Sequence, residues 1–524
     1  MIFRIQSFKQ AAFWSTAINA FGQGLSLVFS MVMAATFGAQ ESTDVLYYCI
    51  GVFALLSGMF QAVNVSVLVP ETMRRRHQVG EGDAMAFINR FFAVFALLIL
   101  GLTAWILWNP AGTMTLISRF SAEALERNSR LVFWLLATLP LQMAAQLLLD
   151  VLVSYKFLSL PAALSCVNRS LNIGFVLLFH RQLGVISVAL GMLLGYGLQV
   201  LLNLYLLGRV IHWRPFAWKT RIGGAVFRNI AWTEIGTLAG TLAGYLPLFL
   251  FSGFGAGVMT AMNYARRLAA IPADLLTTQV SGVMAIKFNE LAARREQGSL
   301  AEAYGRMSRL LVFILVPLSA LLALVGPDVV AILFGRGAFR ESGAVALTSN
   351  LLSLLALNIP LTGMMMFMAR FFVAHQAIRY GTVWQIFSAL LNAGMVAWWV
   401  RWLGAIGLPI GLILHMFLYL AILSVSMARR FPGLALGPVW RALFLDGAAS
   451  AIVALPLWMA RMRWGAGISP WALGAGTVWL FAAGYGLLLF VLPPDRLAWQ
   501  YFKDTARAAG ARLRGGPRID ASGG

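Results

Sequence analysis

The 524 residues are 60% hydrophobic and 11% charged, a balance too apolar for a soluble globular chain of this length, so lipid is the expected solvent. With 40 Lys and Arg against 19 Asp and Glu the formal charge is +21, yet the basic residues flank apolar stretches, which argues against a nucleic-acid partner and for anionic membrane lipid. Cys49, Cys166 and five scattered histidines offer neither a disulfide framework nor metal-ligand spacing, and no phosphate-binding glycine motif indicates nucleotide use, so no cofactor is expected.

The opening segment carries Arg4 and Lys9 like a signal sequence, but the apolar stretch behind it runs to about Gly38, beyond a cleavable core, and reads as a retained first helix. A helical span needs about 20 apolar residues. Runs of that kind predict about fourteen helices, near 11–37, 44–69, 86–108, 131–154, 161–179, 184–207, 229–252, 257–286, 308–333, 344–373, 380–400, 404–427, 441–460 and 471–492. Assigning alternate connections to opposite sides puts about 26 Lys and Arg on the side shared by both termini and about 9 on the other. The chain is therefore expected to be an all-α, multi-pass protein of the inner membrane with both termini cytoplasmic.

An internal repeat divides it. Phe37-Gly38-Ala39, Thr43 and Tyr47 recur as Phe254-Gly255-Ala256, Thr260 and Tyr264, always 217 residues on, and Pro110 falls on Pro327 at the same offset. Pro140-Leu141 resembles Pro360-Leu361 at an offset of 220. A repeat of six spans has an even number of crossings, so the copies share orientation and are related by an axis along the membrane normal. The expected organisation is a six-helix lobe over 1–210, a second over 211–430, a helix pair over 431–495 and a basic tail over 496–524. Two pseudo-symmetric lobes imply a cleft, which a carrier needs and a glycosyltransferase does not.

Two stretches resemble the MurJ/MviN lipid II flippase family of the multidrug/oligosaccharidyl-lipid/polysaccharide exporter superfamily. One runs from Phe37-Gly38-Ala39 through Asp44 to Val69-Pro70; the other from Tyr264-Ala265-Arg266-Arg267-Leu268 with Pro272 to Leu333-Phe334-Gly335-Arg336-Gly337-Ala338-Phe339. The resemblance implies a flippase for a polyprenyl-diphosphate saccharide with lipid II as leading cargo, and possible partners among cell-envelope synthesis enzymes. An exopolysaccharide or O-antigen repeat unit is the alternative cargo, and a cation-coupled drug exporter the next rival.

The family places phosphate-binding arginines on the first, second and eighth helices. Arg267 keeps the eighth-helix position with Arg266 beside it, but Gln23 and Phe29 hold the first-helix places and Ser57 and Gly58 the second. Arg169, inside the fifth span, is a candidate replacement, because an intramembrane arginine usually faces a wet cavity or a partner. Gln23, Gln61 and Asn64 offer polar edges for sugar hydroxyls or for interhelical bonding. Asp44 either gates the outer side or satisfies a helix dipole. Asp274 follows Arg267 by seven residues and either lines the cavity or steadies an internal charge network. Glu234 is the candidate coupling site for sodium, protons or membrane potential, with pairing to Arg228 as its competing role.

Overall fold

The computed structural model describes residues 8–503 apart from 156–159, 214–216, 219, 221–222, 274–278, 295, 376, 432, 466 and 492. Every regular element among the described residues is helical. Twenty α-helices follow in order: α1 (Phe8–Phe37), α2 (Glu41–Val63), α3 (Val69–Gln78), α4 (Glu81–Trp108), α5 (Pro110–Ile117), α6 (Ala122–Arg127), α7 (Ser129–Ser154), α8 (Leu160–Leu183), α9 (Ile186–Leu206) and α10 (Gly224–Phe251). Then come α11 (Val258–Ala273), α12 (Gln279–Ala293), α13 (Gln297–Phe334), α14 (Ala338–Glu341), α15 (Ala344–Ala356), α16 (Ile359–Ala374), α17 (Ile378–Leu403), α18 (Gly407–Arg430), α19 (Gly437–Trp464) and α20 (Pro470–Val491).

Ten helical stretches among the described residues are long and apolar enough to cross a membrane, or eleven if α15 and α16, bent by 43° at their junction, make one span. In that count α17 and α18 form one stretch, Arg379–Arg430, although the Tyr380 and Ser426 hydroxyls are 2.7 Å apart, so the chain doubles back around residues 404–406. Helices also occupy the remaining expected positions: α8, which carries Arg169 and Arg181, and α11 with α12. Pro140, Pro247, Pro272, Pro317, Pro327 and Pro456 lie inside helices, where lipid makes helix the only way to satisfy the backbone and neighbouring helices re-pair the freed carbonyls. Leu97, Leu98 and Leu100 on α4 are more than half exposed, as side chains facing lipid are.

The chain packs as two compact units. The first takes the chain up to Tyr264 with Leu333–Leu347 and Gln385–Leu408; the second takes Ala265–Ile332, Thr348–Trp384 and Pro409 onward. This grouping follows packing rather than chain order, so the six-helix repeat remains an inference from the sequence.

Within the first unit, α2 passes through a π-helical turn, Asn64–Leu68, into α3. Asn64 at that turn is fully buried and donates to Asp150 of α7 at 2.8 Å, while Gln146 donates to the other oxygen of Asp150 at 3.0 Å. One turn earlier Gln142 donates to Ser57. A polar ladder thus joins the second helix to α7. At the end of α3, the buried Arg75 binds Glu71 (2.7 Å), Asp83 (2.9 Å) and Thr220 (2.6 Å) and stacks over Phe87, tying the α3–α4 turn to the segment before α10.

Within the second unit, α19 and α20 are fastened to α13 by two ion pairs. Arg309, a third of the way along α13, makes a two-bond fork with Asp495 (2.5 and 2.6 Å). Nineteen residues on, Asp328 lies 2.7 Å from Arg461, close enough for an ion pair though not aligned for a hydrogen bond, and Arg461 donates to Thr477 at 2.8 Å. That spacing corresponds to about 28 Å of helix, close to a bilayer core, so the pairs sit near opposite membrane faces. Removing one partner of a buried pair costs about 3–5 kcal/mol, whereas replacing both is near neutral. Arg461→Met is expected to lower the unfolding temperature in detergent, and Asp328→Leu added to it to restore most of the loss; a double variant as unstable as the single one would show that the pair is not the cause.

Candidate functional site

The first unit gathers the most distinctive sequence motifs at one end. The carboxylate of Asp44, in the first turn of α2, is buried and accepts from the backbone N–H of Gly257 (2.6 Å), the N–H of Thr260 (2.8 Å) and the Thr260 hydroxyl (2.6 Å). It therefore caps the N-terminus of α11, where unpaired N–H groups and the helix dipole favour an anion. Thr43 accepts from the Gln40 N–H at 2.9 Å, its hydroxyl oxygen lies 3.0 Å from that of Thr260, and the Tyr47 and Tyr264 hydroxyls are 3.2 Å apart. Both side-chain pairs, Thr43 with Thr260 and Tyr47 with Tyr264, are separated by the repeat offset of 217.

The heptad from Leu333 to Phe339 closes the same end. Phe334 stacks on Tyr264 at 4.6 Å and Phe339 meets it edge-on at 5.3 Å. Gly337 has φ +56° and a side chain there would come within 2.3 Å of the Ala35 carbonyl oxygen; Gly38 has φ +66° and would meet the Ala338 carbonyl oxygen at 2.6 Å. The two glycines are what lets the heptad and the end of α1 approach backbone to backbone. Around this knot, Tyr48 and Tyr245 both donate to the Ile117 carbonyl, Arg127 pairs with Glu41 at 2.6 Å, and the Arg119 N–H donates to Ser252 at 2.8 Å. Sequence reasoning found Asp44 as a gate candidate, and the structure gives it three donors.

The candidate cargo residues are placed separately. Arg169 of α8 is half-buried and its guanidinium donates to the Gly22 carbonyl of α1 at 2.5 Å. The cation thus reaches the first helix at the residue next to Gln23, which is itself half-buried. Asn64 is enclosed by its bond to Asp150, so its geometry serves interhelical bonding rather than a sugar, while Gln61 is exposed. In the second unit Arg266 is exposed and Arg267 half-buried on α11. Glu234 of α10 is half-buried with its Oε2 buried and without a hydrogen bond, and no ion pair joins it to Arg228 among the described residues. Asp274 lies outside the described residues.

Sequence reasoning missed Asp150, Asp328 and Asp446, three buried carboxylates inside predicted spans. The signal was available, because an acidic residue in a membrane helix requires a partner or a proton. No His, Cys, Asp and Glu grouping able to hold a metal ion occurs among the described residues.

The family model described as lipid II flippase MurJ matches residues 33–475 of this chain. A probable lipid II flippase MurJ from Buchnera aphidicola subsp. Acyrthosiphon pisum (strain APS) is 22% identical over 432 residues, covering 78% of this chain and 81% of the relative. Among solved structures, a lipid II flippase MurJ in an inward closed conformation superposes with a TM-score of 0.76 at 16% identity, covering 94% of this chain and 99% of that one. A multidrug resistance MATE family transporter of the MOP superfamily in an inward-facing conformation gives a TM-score of 0.64 at 16% identity, covering 81% of this chain and 98% of its own. These structural likenesses establish the fold, and the match of the family model over most of the length establishes the lineage. The chain belongs to the MurJ family of lipid II flippases, which are transporters and not enzymes.

Proposed function

We propose that this chain flips lipid II across the bacterial inner membrane by alternating access, with both termini in the cytoplasm. The observation that carries the reading is the Asp44 clasp, in which one carboxylate holds the N-terminus of α11 at the point where repeat-related residues touch. A carrier needs a closure at one face that is specific enough to shut and limited enough to release. Three hydrogen bonds to one anion, each contributing about 1.5–3 kcal/mol, meet that need. With the clasp on the outer side, as the distribution of Lys and Arg favours, the closed clasp belongs to the state that loads from the cytoplasm.

Cargo recognition rests on arginines, whose planar donors match a diphosphate and stay charged out of water. Arg267 occupies the family position on α11, and Arg169 supplies a cation to α1 beside Gln23. Ser57, at a place the family gives to arginine, is instead bonded to Gln142, which keeps a second reading in play: a polyprenyl-linked exopolysaccharide or O-antigen unit. Coupling to sodium, protons or membrane potential would run through Glu234, whose buried oxygen lacks a hydrogen bond. Potential alone supplies about 2.3 kcal/mol per charge per 100 mV. Enzymes of cell-envelope synthesis are the expected suppliers and consumers of the cargo.

The deciding experiment is complementation of a strain depleted of its lipid II flippase, with wild type and Arg267→Ala expressed to equal levels. Rescue by wild type and not by the variant is the expected result. Failure of well-inserted wild type would transfer the reading to the other saccharides.

A further inference from the structure

The terminal helices hold a carboxyl group that the proposed transport cycle does not use. Asp446, in the second turn and a half of α19, has no solvent exposure, and both of its oxygens lack a hydrogen-bond partner. Ser450, one turn on along the same helix, and Tyr485 of α20 are also buried, with their hydroxyls close to one another. Ala449 and Tyr485 belong to the apolar cluster of Phe313, Leu324, Phe481 and Leu489 that joins α13 to the terminal pair. A bare carboxylate in such surroundings is strongly disfavoured, whereas a carboxylic acid has one donor to give and needs only hydroxyl neighbours.

The charged groups acting on Asp446 are Asp495 and Arg309, with the Tyr485 hydroxyl facing it from α20 and Arg441 five residues before it on its own helix. Arg309 is committed to Asp495 by its two-bond fork. An open cavity of about 750 Å³ lies next to Asp446, lined by Ala442 one turn before it, by its neighbour Leu445, and by Arg309, Arg441 and Asp495. On the other side Gly447 and Ser450 line an apolar cavity of about 540 Å³ between α13, α15, α16 and α19.

We propose that Asp446 is a proton-binding site: protonated, it leaves Arg309 to Asp495 and α19–α20 docked on α13; ionised, it competes for Arg309 and loosens the dock. The proton enters from and returns to water in the cavity at Arg309 and Arg441, so no other acceptor is required. Because the docked state holds one more proton, raising the pH shifts the equilibrium away from it. One carboxyl and two hydroxyls offer few oxygens for a metal cation, which favours the proton as ligand.

Infrared spectroscopy of the full chain in nanodiscs tests this without reference to any cargo, so its failure is distinct from failure of the transport reading. Wild type is expected to show a protonated-carboxyl band at neutral pH that is missing in Asp446→Asn and displaced in Tyr485→Phe, and that disappears as pH rises. Superimposable wild-type and Asp446→Asn spectra would overturn the site. If Asp446→Asn does not insert, Asp446→Glu must displace the band, and an unmoved band is equally fatal. Loss of the band on adding sodium at constant pH would make the ligand a cation and overturn the proton assignment.

Discussion

Oxidation of a chain carrying Thr43→Cys and Thr260→Cys, with Cys49→Ala and Cys166→Ala to remove the native thiols, is expected to stop transport, and reduction to restore it. The two native hydroxyl oxygens are 3.0 Å apart, so thiols at the same positions lie within reach of the short Cβ separation a disulfide requires. A covalent bond removes the released state altogether, which makes this the largest effect the structure implies. The comparison is made on one polypeptide before and after reduction, so hydrogen bonds lost with the two threonines cancel. Full turnover in the oxidised, demonstrably cross-linked chain would mean that the clasp does not open during the cycle, and alternating access through this end would fall.

The noncovalent counterpart is graded. Asp44→Ala removes the only carboxylate that reaches Gly257 and Thr260 among the described residues, at a cost of roughly 3 kcal/mol or more for a bonded anion. At about 1.4 kcal/mol per tenfold, that moves the balance between closed and open by about 100-fold, enough to depopulate a closed state held by a few kcal/mol. Position 261, at the 217 offset from Asp44, is Ala, which has no carboxylate to return, so the capping is one-sided.

How much of this was legible beforehand follows from the range of each interaction. Helical class and the positions of the helices are local properties of apolar runs about 20 residues long and were readable, while the count of fourteen spans was not confirmed. The meaning of the heptad as a motif was readable too, although the reason for Gly337 lies in Ala35, about 300 residues earlier, and no local pattern reports that approach. The sequence left Asn64 open between a sugar contact and interhelical bonding because its partner Asp150 is 86 residues away on another helix. Asp328 and Asp446 were overlooked although each sits in an apolar run, where a carboxylate signals a partner or a proton; Arg461 lies 133 residues past Asp328, beyond any spacing rule. Arg169 was found because its burial cost is local, while its target, the Gly22 carbonyl, required the fold.

That target sets the second large prediction. If Arg169 performs the task that relatives give to a first-helix arginine, charge should be exchangeable between the two helices. Arg169→Gln removes a charged donor from the neighbourhood of Gln23, and a charge-assisted bond to cargo of about 1.5–3 kcal/mol corresponds to a loss of transport of roughly 10- to 100-fold. Gln23→Arg in the same chain returns the cation along α1, and is expected to recover most of that loss in a vesicle flipping assay. Arg169→Lys is expected to recover less, because an ammonium keeps the charge without the two-pronged donor that a diphosphate matches. A purely structural arginine gives the opposite pattern: its bond to the Gly22 carbonyl would be lost with Arg169→Gln, the protein would melt at lower temperature, and Gln23→Arg would restore neither stability nor transport. Recovery of transport without recovery of thermal stability would therefore separate cargo recognition from packing at this junction.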